Sequence, residues 1–369
     1  MPKVMPVSAN WIIATGVIVA ALYFGRAILA PFALAVFLFL IIEGFARALQ
    51  ARLPVLGLNF LRCLAIMTVV VGFIGFIVLL AGGVARLGGQ AGGYEDKIND
   101  LIATVYGLIR IEDAPTLNEL IFNEAGQRFF ALIANATSSL TGDLVLILIY
   151  VGFLFVAQAS WSQKLDRIFT DEDQRKHVRE LGEDARRSIE TYLWTQTLIS
   201  ALTTALTYVT LLLLGVENAV FLSALIFILN YIPTVGSIVA SLLPPLFALV
   251  QPDIPVWVPG GPELGSYVFT GLVFAGVSFW QFSIGNFVQP RVMGDSLNLS
   301  SLVVLLSLAV WGAVWGVPGM FLSAPLTVLL MILLAQGPST KWISVLLSSN
   351  GKLGSEFVDS GREFNNINK

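Results

Sequence analysis

Charge is scarce in this sequence. Only 12% of its 369 residues are Asp, Glu, Lys or Arg, against roughly a quarter in an ordinary soluble domain. A chain with so few ionised groups cannot cover a water-facing surface, and a soluble globular fold is excluded. Cysteine and histidine occur once each, as Cys63 and His177. A single cysteine excludes an internal disulfide, and a single histidine excludes a multi-histidine metal site. Lys and Arg number 21 against 24 Asp and Glu, so the net charge of −3 leaves no basic face for nucleic acid. The glycine-rich stretch Gly88-Gly89-Gln90-Ala91-Gly92-Gly93 lacks the Lys-Ser or Lys-Thr of a phosphate loop. No enzyme, no ATP coupling and no cofactor is expected. What is plentiful is hydrocarbon: 56% of residues are hydrophobic and the mean hydropathy is +0.81. Apolar runs of about 15 to 35 residues recur, long enough to cross a layer of about 30 Å. The fold expected is an all-α polytopic membrane protein.

About eight membrane segments are expected. Residues 11–25 and 27–42 are apolar runs split by Gly25-Arg26, fitting two tilted spans or one broken hairpin; the first lacks a convincing cleavage site and is expected to be retained. Residues 46–62 read as a short polar connection. Further spans are read at 64–82, 144–159, 193–214 and 267–285, with longer interrupted stretches at 219–250 and 299–336. The plan is a membrane scaffold at 1–82, a helical domain outside the bilayer at 83–143, a span with a charged helix at 144–190, a two-hairpin transport domain at 191–336 and a tail at 337–369. Lys and Arg concentrate in 162–190 and in the tail, whereas 251–266 contains neither. The first two therefore belong in the cytoplasm and the third outside, with both termini cytoplasmic.

This orientation makes 219–250 begin and end outside. Asn230-Tyr231-Ile232-Pro233-Thr234-Val235-Gly236-Ser237 interrupts it, where Pro233 removes a donor and Gly236 permits a turn. Residues 299–336 likewise begin and end inside, interrupted at Trp311-Gly312-Ala313-Val314-Trp315-Gly316-Val317-Pro318-Gly319. The economical reading is two inverted re-entrant helical hairpins in the C-terminal half; the alternative is two long helices kinked by Pro and Gly. Unwound backbone inside a bilayer belongs where it lines a polar cavity, and inverted repeats place substrate there. Carriage across the membrane follows from that reading.

The stretch Leu229-Asn230-Tyr231-Ile232-Pro233-Thr234-Val235-Gly236-Ser237, followed by Gly285-Asn286-Phe287-Val288-Gln289-Pro290-Arg291-Val292-Met293-Gly294, resembles the autoinducer-2 exporter family of permeases. Leu302-Val303-Val304-Leu305-Leu306-Ser307-Leu308 and Gly319-Met320-Phe321-Leu322-Ser323-Ala324-Pro325-Leu326-Thr327 are similar to it too, so that the resemblance covers residues 10–336. It implies a multi-pass protein of the bacterial inner membrane with eight segments, re-entrant ones included. An elevator-like movement of the C-terminal half and a homo-oligomer, a pentamer in related proteins, are also implied. Members have been assigned to export of autoinducer-2, others to exchange of sodium or lithium for protons. Many members carry a glutamate where this chain has Asn230, Gly285 and Gln289, a departure that weighs against cation binding.

The hairpins contain no ionisable side chain. Asn230, Thr234, Ser237, Asn286 and Gln289 are neutral hydrogen-bonding groups suited to a polyhydroxylated solute, and they would equally cap broken helix ends. Pro233, Gly236, Gly312, Gly316, Pro318 and Gly319 shape the breaks. Arg291, beside Pro290 and near Gly294, is a candidate for solute or for Asp295, with positive-inside anchoring as its alternative. Trp311 and Trp315, four apart, would stack on a sugar-like ring or simply pack. Glu217 and Asp295 are candidates for ion coupling, but Glu43, Asp143, Glu190, Glu217 and Asp295 all fall at segment edges, where hydrated carboxylates are expected. Three readings stay open: a secondary exporter of a small polar solute of the autoinducer-2 type, a sodium (or lithium)/proton antiporter, and a membrane scaffold without transport.

Overall fold

The computed structural model describes residues 9–54, 57–89, 91–108, 115–122, 124–258, 260–293 and 298–351. Within them the regular structure is helical, apart from an isolated bridge between Leu299 and Ser348. The helices are α1 (Ala9–Phe24), α2 (Arg26–Arg52), α3 (Leu58–Gly89), α4 (Ala91–Leu108), α5 (Leu117–Phe122), α6 (Glu124–Ile168) and α7 (Glu172–Leu213). They continue as α8 (Ala219–Leu229), α9 (Val235–Val250), α10 (Ser266–Ser283), α11 (Gln289–Met293), α12 (Ser301–Trp315), α13 (Val317–Gln336) and α14 (Lys341–Leu347). Gly294, Asp295 and residues 352–369 of the tail lie outside the described residues.

Six of these helices are long and apolar enough to cross a membrane: Arg26–Arg52, Asn59–Gly83, Leu144–Ile168, Glu172–Leu213, Ser266–Val292 and Val317–Gln336. Their solvent is hydrocarbon, as burial makes plain: on α6 Phe153 is 69% and Val156 73% exposed, whereas Glu43 on α2 is 0% exposed. With 45 and 42 residues, α6 and α7 reach about 65 Å at 1.5 Å per residue, twice a hydrocarbon layer of about 30 Å. The charged helix read from 162–190 is thus divided: its first residues end α6 at Ile168, and the rest, from Glu172, runs unbroken into the span read from 193–214 as α7. The polar connection expected at 46–62 is corrected in the same way. Helix α2 continues to Arg52 and α3 starts at Leu58, because Phe45 to Arg52 is rich in helix formers and Arg47 sits one turn beyond Glu43, within reach of its carboxylate.

The chain divides into two compact units. The first comprises 1–66, 144–196 and 293–369. Its core joins Phe37 and Leu40 of α2, Ile189, Tyr192 and Leu193 of α7, and Leu322 and Ala324 of α13. Helices α12 and α13 pack on each other and on α2, and the segment after α14 returns to α12, with Ser349 N–H donating to the Asn298 carbonyl at 3.0 Å. The second unit comprises 67–143 and 197–292. Its core gathers Leu211 of α7, Phe221 and Leu222 of α8, Ala248 of α9, and Phe269, Val273 and Val277 of α10.

Candidate functional site

Helix α8 stops where Pro233 withdraws an amide donor, and α9 starts at Val235. Between them Val235 N–H donates to the Pro233 carbonyl at 2.6 Å, with Thr234 at φ 61 and ψ −58. That is the γ-turn of the rarer, strained hand, occupied by a β-branched residue that avoids positive φ. Gly236 is required two residues on: a Cβ there would lie 1.7 Å from the Leu229 carbonyl oxygen, so the two helices touch backbone to backbone. Ser237 Oγ donates to the Thr234 carbonyl at 3.0 Å. The break is tied on two sides. Tyr231 Oη and Thr197 Oγ1 of α7 are 2.7 Å apart, and Gln281 Nε2 of α10 donates to Asn230 Oδ1 at 3.3 Å.

Three residues beyond Gln281 the helix widens into a π-helical turn at Ile284–Val288. Gln289 N–H reaches back five residues to the Ile284 carbonyl. Pro290 explains the widening, since its ring cannot sit against the carbonyl four residues earlier and it donates nothing. Asn286 Nδ2 donates to the Phe282 carbonyl at 2.9 Å, and Asn286, Pro290 and Arg291 are exposed. The structure thus joins Asn230, Pro233, Thr234, Gly236 and Ser237 in one turn, with Asn286, Gln289, Pro290 and Arg291 on a separate stretch of the same unit.

The other break is built alike within the first unit. Gly316 stands at φ 67 and ψ −141, open only to glycine, and Pro318 sits in the first turn of α13. A Cβ on Gly319 would lie 1.9 Å from the Trp311 carbonyl oxygen, and Gly312 faces the Met320 side chain. Both indoles spend their donors on protein: Trp311 Nε1 on Thr327 Oγ1 at 3.2 Å and Trp315 Nε1 on the Leu22 carbonyl at 3.1 Å. Their rings stand 5.3 Å apart.

Two features escaped the sequence reading. Glu43, expected as a hydrated carboxylate, is buried and accepts from Arg62 Nε at 2.8 Å and Nη2 at 2.6 Å, from Arg47 at 3.3 Å and from Gln158 Nε2 at 3.3 Å. The Arg62 pair is bidentate, the strong form of the interaction, and it closes the α2–α3 turn. Its signal was a carboxylate with arginines 4 and 19 residues on, but nothing in the spacing foretold burial. Glu217, a candidate for ion coupling, accepts from the Tyr94 hydroxyl of α4, while Glu217 N–H donates to Gln251 Oε1 at 3.0 Å. Burial, then the Glu217 carboxylate, pushes the Tyr94 phenol above its ordinary value; the neutral phenol is the form the fold favours, so its contribution persists through neutral pH and is lost only as strongly alkaline pH removes the proton. Among the described residues no cluster of three metal-binding side chains occurs. The 510 Å³ cleft lined by Asp166, Arg175, Arg179 and Glu183 is a surface feature of the α6–α7 turn, its charges paired as Arg179–Asp166 at 2.7 Å and Arg175–Asp166 at 3.7 Å.

Spanning helices with apolar flanks, buried polar ties and two broken-helix pairs define a polytopic α-helical membrane protein. The chain belongs to the AI-2E transporter family, whose family model, described as AI-2E family transporter, matches residues 12–339. It is 28% identical over 347 residues to the AI-2 transport protein TqsA of Escherichia coli (strain K12), covering 91% of this chain and 94% of that one. A Haemophilus influenzae (strain Rd) protein, named provisionally as a transport protein, is 27% identical over 341 residues, covering 90% of this chain and 93% of its own. The E. coli (strain K12) protein YhhT, also provisionally named a transport protein, is 31% identical over 198 residues, 53% of this chain and 52% of that one. The family is one of transporters, not enzymes.

Proposed function

We propose that this chain is a secondary transporter of the bacterial inner membrane that exports a small, neutral, polyhydroxylated solute of the autoinducer-2 type. The observation that carries the reading is the pair of helix breaks, each held open by a non-helical residue at positive φ and closed by a glycine pressed on a carbonyl of the preceding helix. Breaks of this kind expose backbone dipoles and amide groups that a solute exchanges for water. The name of TqsA, AI-2 transport protein, supports this cargo at 28% identity, and the neutral side chains Asn230, Thr234, Ser237, Asn286 and Gln289 suit it. In this reading α8–α9 enters the bilayer from outside and α12–α13 from the cytoplasm, giving eight segments with both termini inside. Residues 191–336 move in an elevator-like step, residues 83–143 stand outside, and the chain works as a homo-oligomer. Arg291, on the stretch after α10, and the Trp311–Trp315 pair, at the α12–α13 break, assist binding.

The test is transport by the purified chain in proteoliposomes, with labelled autoinducer-2 flux and internal pH recorded together, with and without sodium. Solute flux that Asn230→Ala or Thr234→Ala reduces supports the reading. A sodium-triggered pH change without solute flux replaces it with cation exchange, and neither signal leaves a membrane scaffold.

A further inference from the structure

Helix α7 is built inside out between Glu190 and Glu217, a stretch without one charged side chain. Leu198, Leu202, Val209 and Leu213 are exposed, whereas Ser200, Thr203 and Thr207 are buried, Ser200 and Thr207 at 0% exposure. In water such a helix would be upside down; in a bilayer its apolar side meets lipid and its hydroxyl side meets protein. Hydroxyls inside a helix ordinarily bond to a carbonyl one turn back. Thr203 does so, to Ile199 at 2.8 Å, and Thr210 does so, to Leu206 at 3.0 Å. Ser200, Thr204 and Thr207 do not: their buried oxygens meet no hydrogen-bond partner in the protein. Spaced by four and three, these three hydroxyls share one face, and one turn further that face carries Leu211 into the core with Leu222 of α8 and Val277 of α10. The neighbours of those two residues, Ser223 and Ser278, bring two more buried hydroxyls without a partner.

A buried hydroxyl without a partner is costly, and far more so in hydrocarbon, where water cannot make up the deficit. Five such groups on three helices of one compact unit, three of them on a single face of α7, are not accounted for by packing. We infer that the face of α7 bearing Ser200, Thr204 and Thr207 lines a polar track, completed by Ser223 and Ser278, that hydrogen-bonds a neutral hydroxylated solute and the water accompanying it. The cargo rests on the transport reading above; the track itself does not. With no carboxylate or cation on that stretch of α7, the track offers nothing to neutralise an ion, and it selects uncharged molecules rich in hydroxyls.

The experiment uses the full chain with Cys63→Ser, carrying one cysteine at a time at positions 200, 204 or 207, and at 202 or 209 as lipid-facing controls. A small, uncharged, hydroxylated methanethiosulfonate reagent is applied to sealed vesicles in both orientations. Thiolate, the reactive species, forms only where water reaches, so the track positions are expected to react about tenfold or more faster than the controls. Rates equal to those of the controls at all three positions would overturn the track. Thr207→Val, which keeps shape and deletes the hydroxyl, is expected to lower the efficiency of autoinducer-2 transport about tenfold, the worth of one hydrogen bond, with Thr203→Val unchanged. Equal effects of the two would also count against it. Fast labelling without autoinducer-2 flux supports the track and removes only the cargo; flux without labelling overturns the track.

Discussion

Two residues hold free energy out of proportion to their size. Glu43 is fully buried and its charge is balanced chiefly by Arg62, since Arg47 is half exposed. Removing one partner of a buried pair strands the other charge, a loss of about 3–5 kcal/mol. Arg62→Ala is therefore expected to lower the melting temperature of the purified protein far more than Arg47→Ala, as followed by thermal unfolding in detergent; equal effects would mean that the carboxylate is held by the less buried arginine. Thr234 stores strain of the opposite sort. Its positive φ costs about 1–3 kcal/mol, and strain of that kind collects where a fold keeps an unfavourable geometry for use. Thr234→Gly relaxes it, and the expected outcome is a higher melting temperature together with weaker solute flux. A variant stabilised and fully active would make the turn a packing detail. Neither residue was legible in the same degree. Pro233 and Gly236 announced a turn at Thr234, but burial of Glu43 depends on which helix faces meet, which no local pattern encodes.

The element most fully specified by the sequence is the broken pair. Both interruptions were visible as Pro and Gly inside apolar runs, and both appear as turns joining packed helices, α8 to α9 and α12 to α13. At both breaks a glycine is pressed on a carbonyl of the preceding helix, Gly236 on Leu229 and Gly319 on Trp311. The π-helical turn at Ile284–Val288 was not foreseen; Pro290 was visible, but a proline is accommodated by a kink, a stop or a wider turn, and tertiary packing chooses. From the close approaches follows a paired expectation. Gly236→Ala and Gly319→Ala each force a backbone shift and should cost about 1–3 kcal/mol or more, whereas Gly271→Ala on α10, with open space beside it, should be neutral or gain up to about 1 kcal/mol. The readout is the unfolding temperature of the three variants, and a neutral Gly236→Ala would mean that the helices of the first pair can part freely.

For the molecule as a whole, topology is the quantity on which the proposed function turns. Exposed positions Glu119, Asp253, Lys164 and Ser339 can each receive a single cysteine in a chain with Cys63→Ser. An impermeant thiol reagent added from outside is expected to label positions 119 and 253 and to spare 164 and 339. Labelling of 253 together with 164 would mean that α8–α9 crosses the bilayer rather than turning back within it.

Of the six candidate spans, the two that carry unpartnered hydroxyls are also those with the lowest mean hydropathy, 1.4 for both Glu172–Leu213 and Ser266–Val292 against 2.9 for Asn59–Gly83. A segment of that modest apolarity gains little by leaving the insertion machinery for lipid alone. During synthesis α7 would therefore linger near the translocon until α10, which begins 53 residues after α7 ends at Leu213, emerges and supplies the Trp280 indole that meets Thr210 at 2.9 Å. The polar face of α7 thus makes insertion a cooperative event, in which early and late helices enter the membrane as a pair.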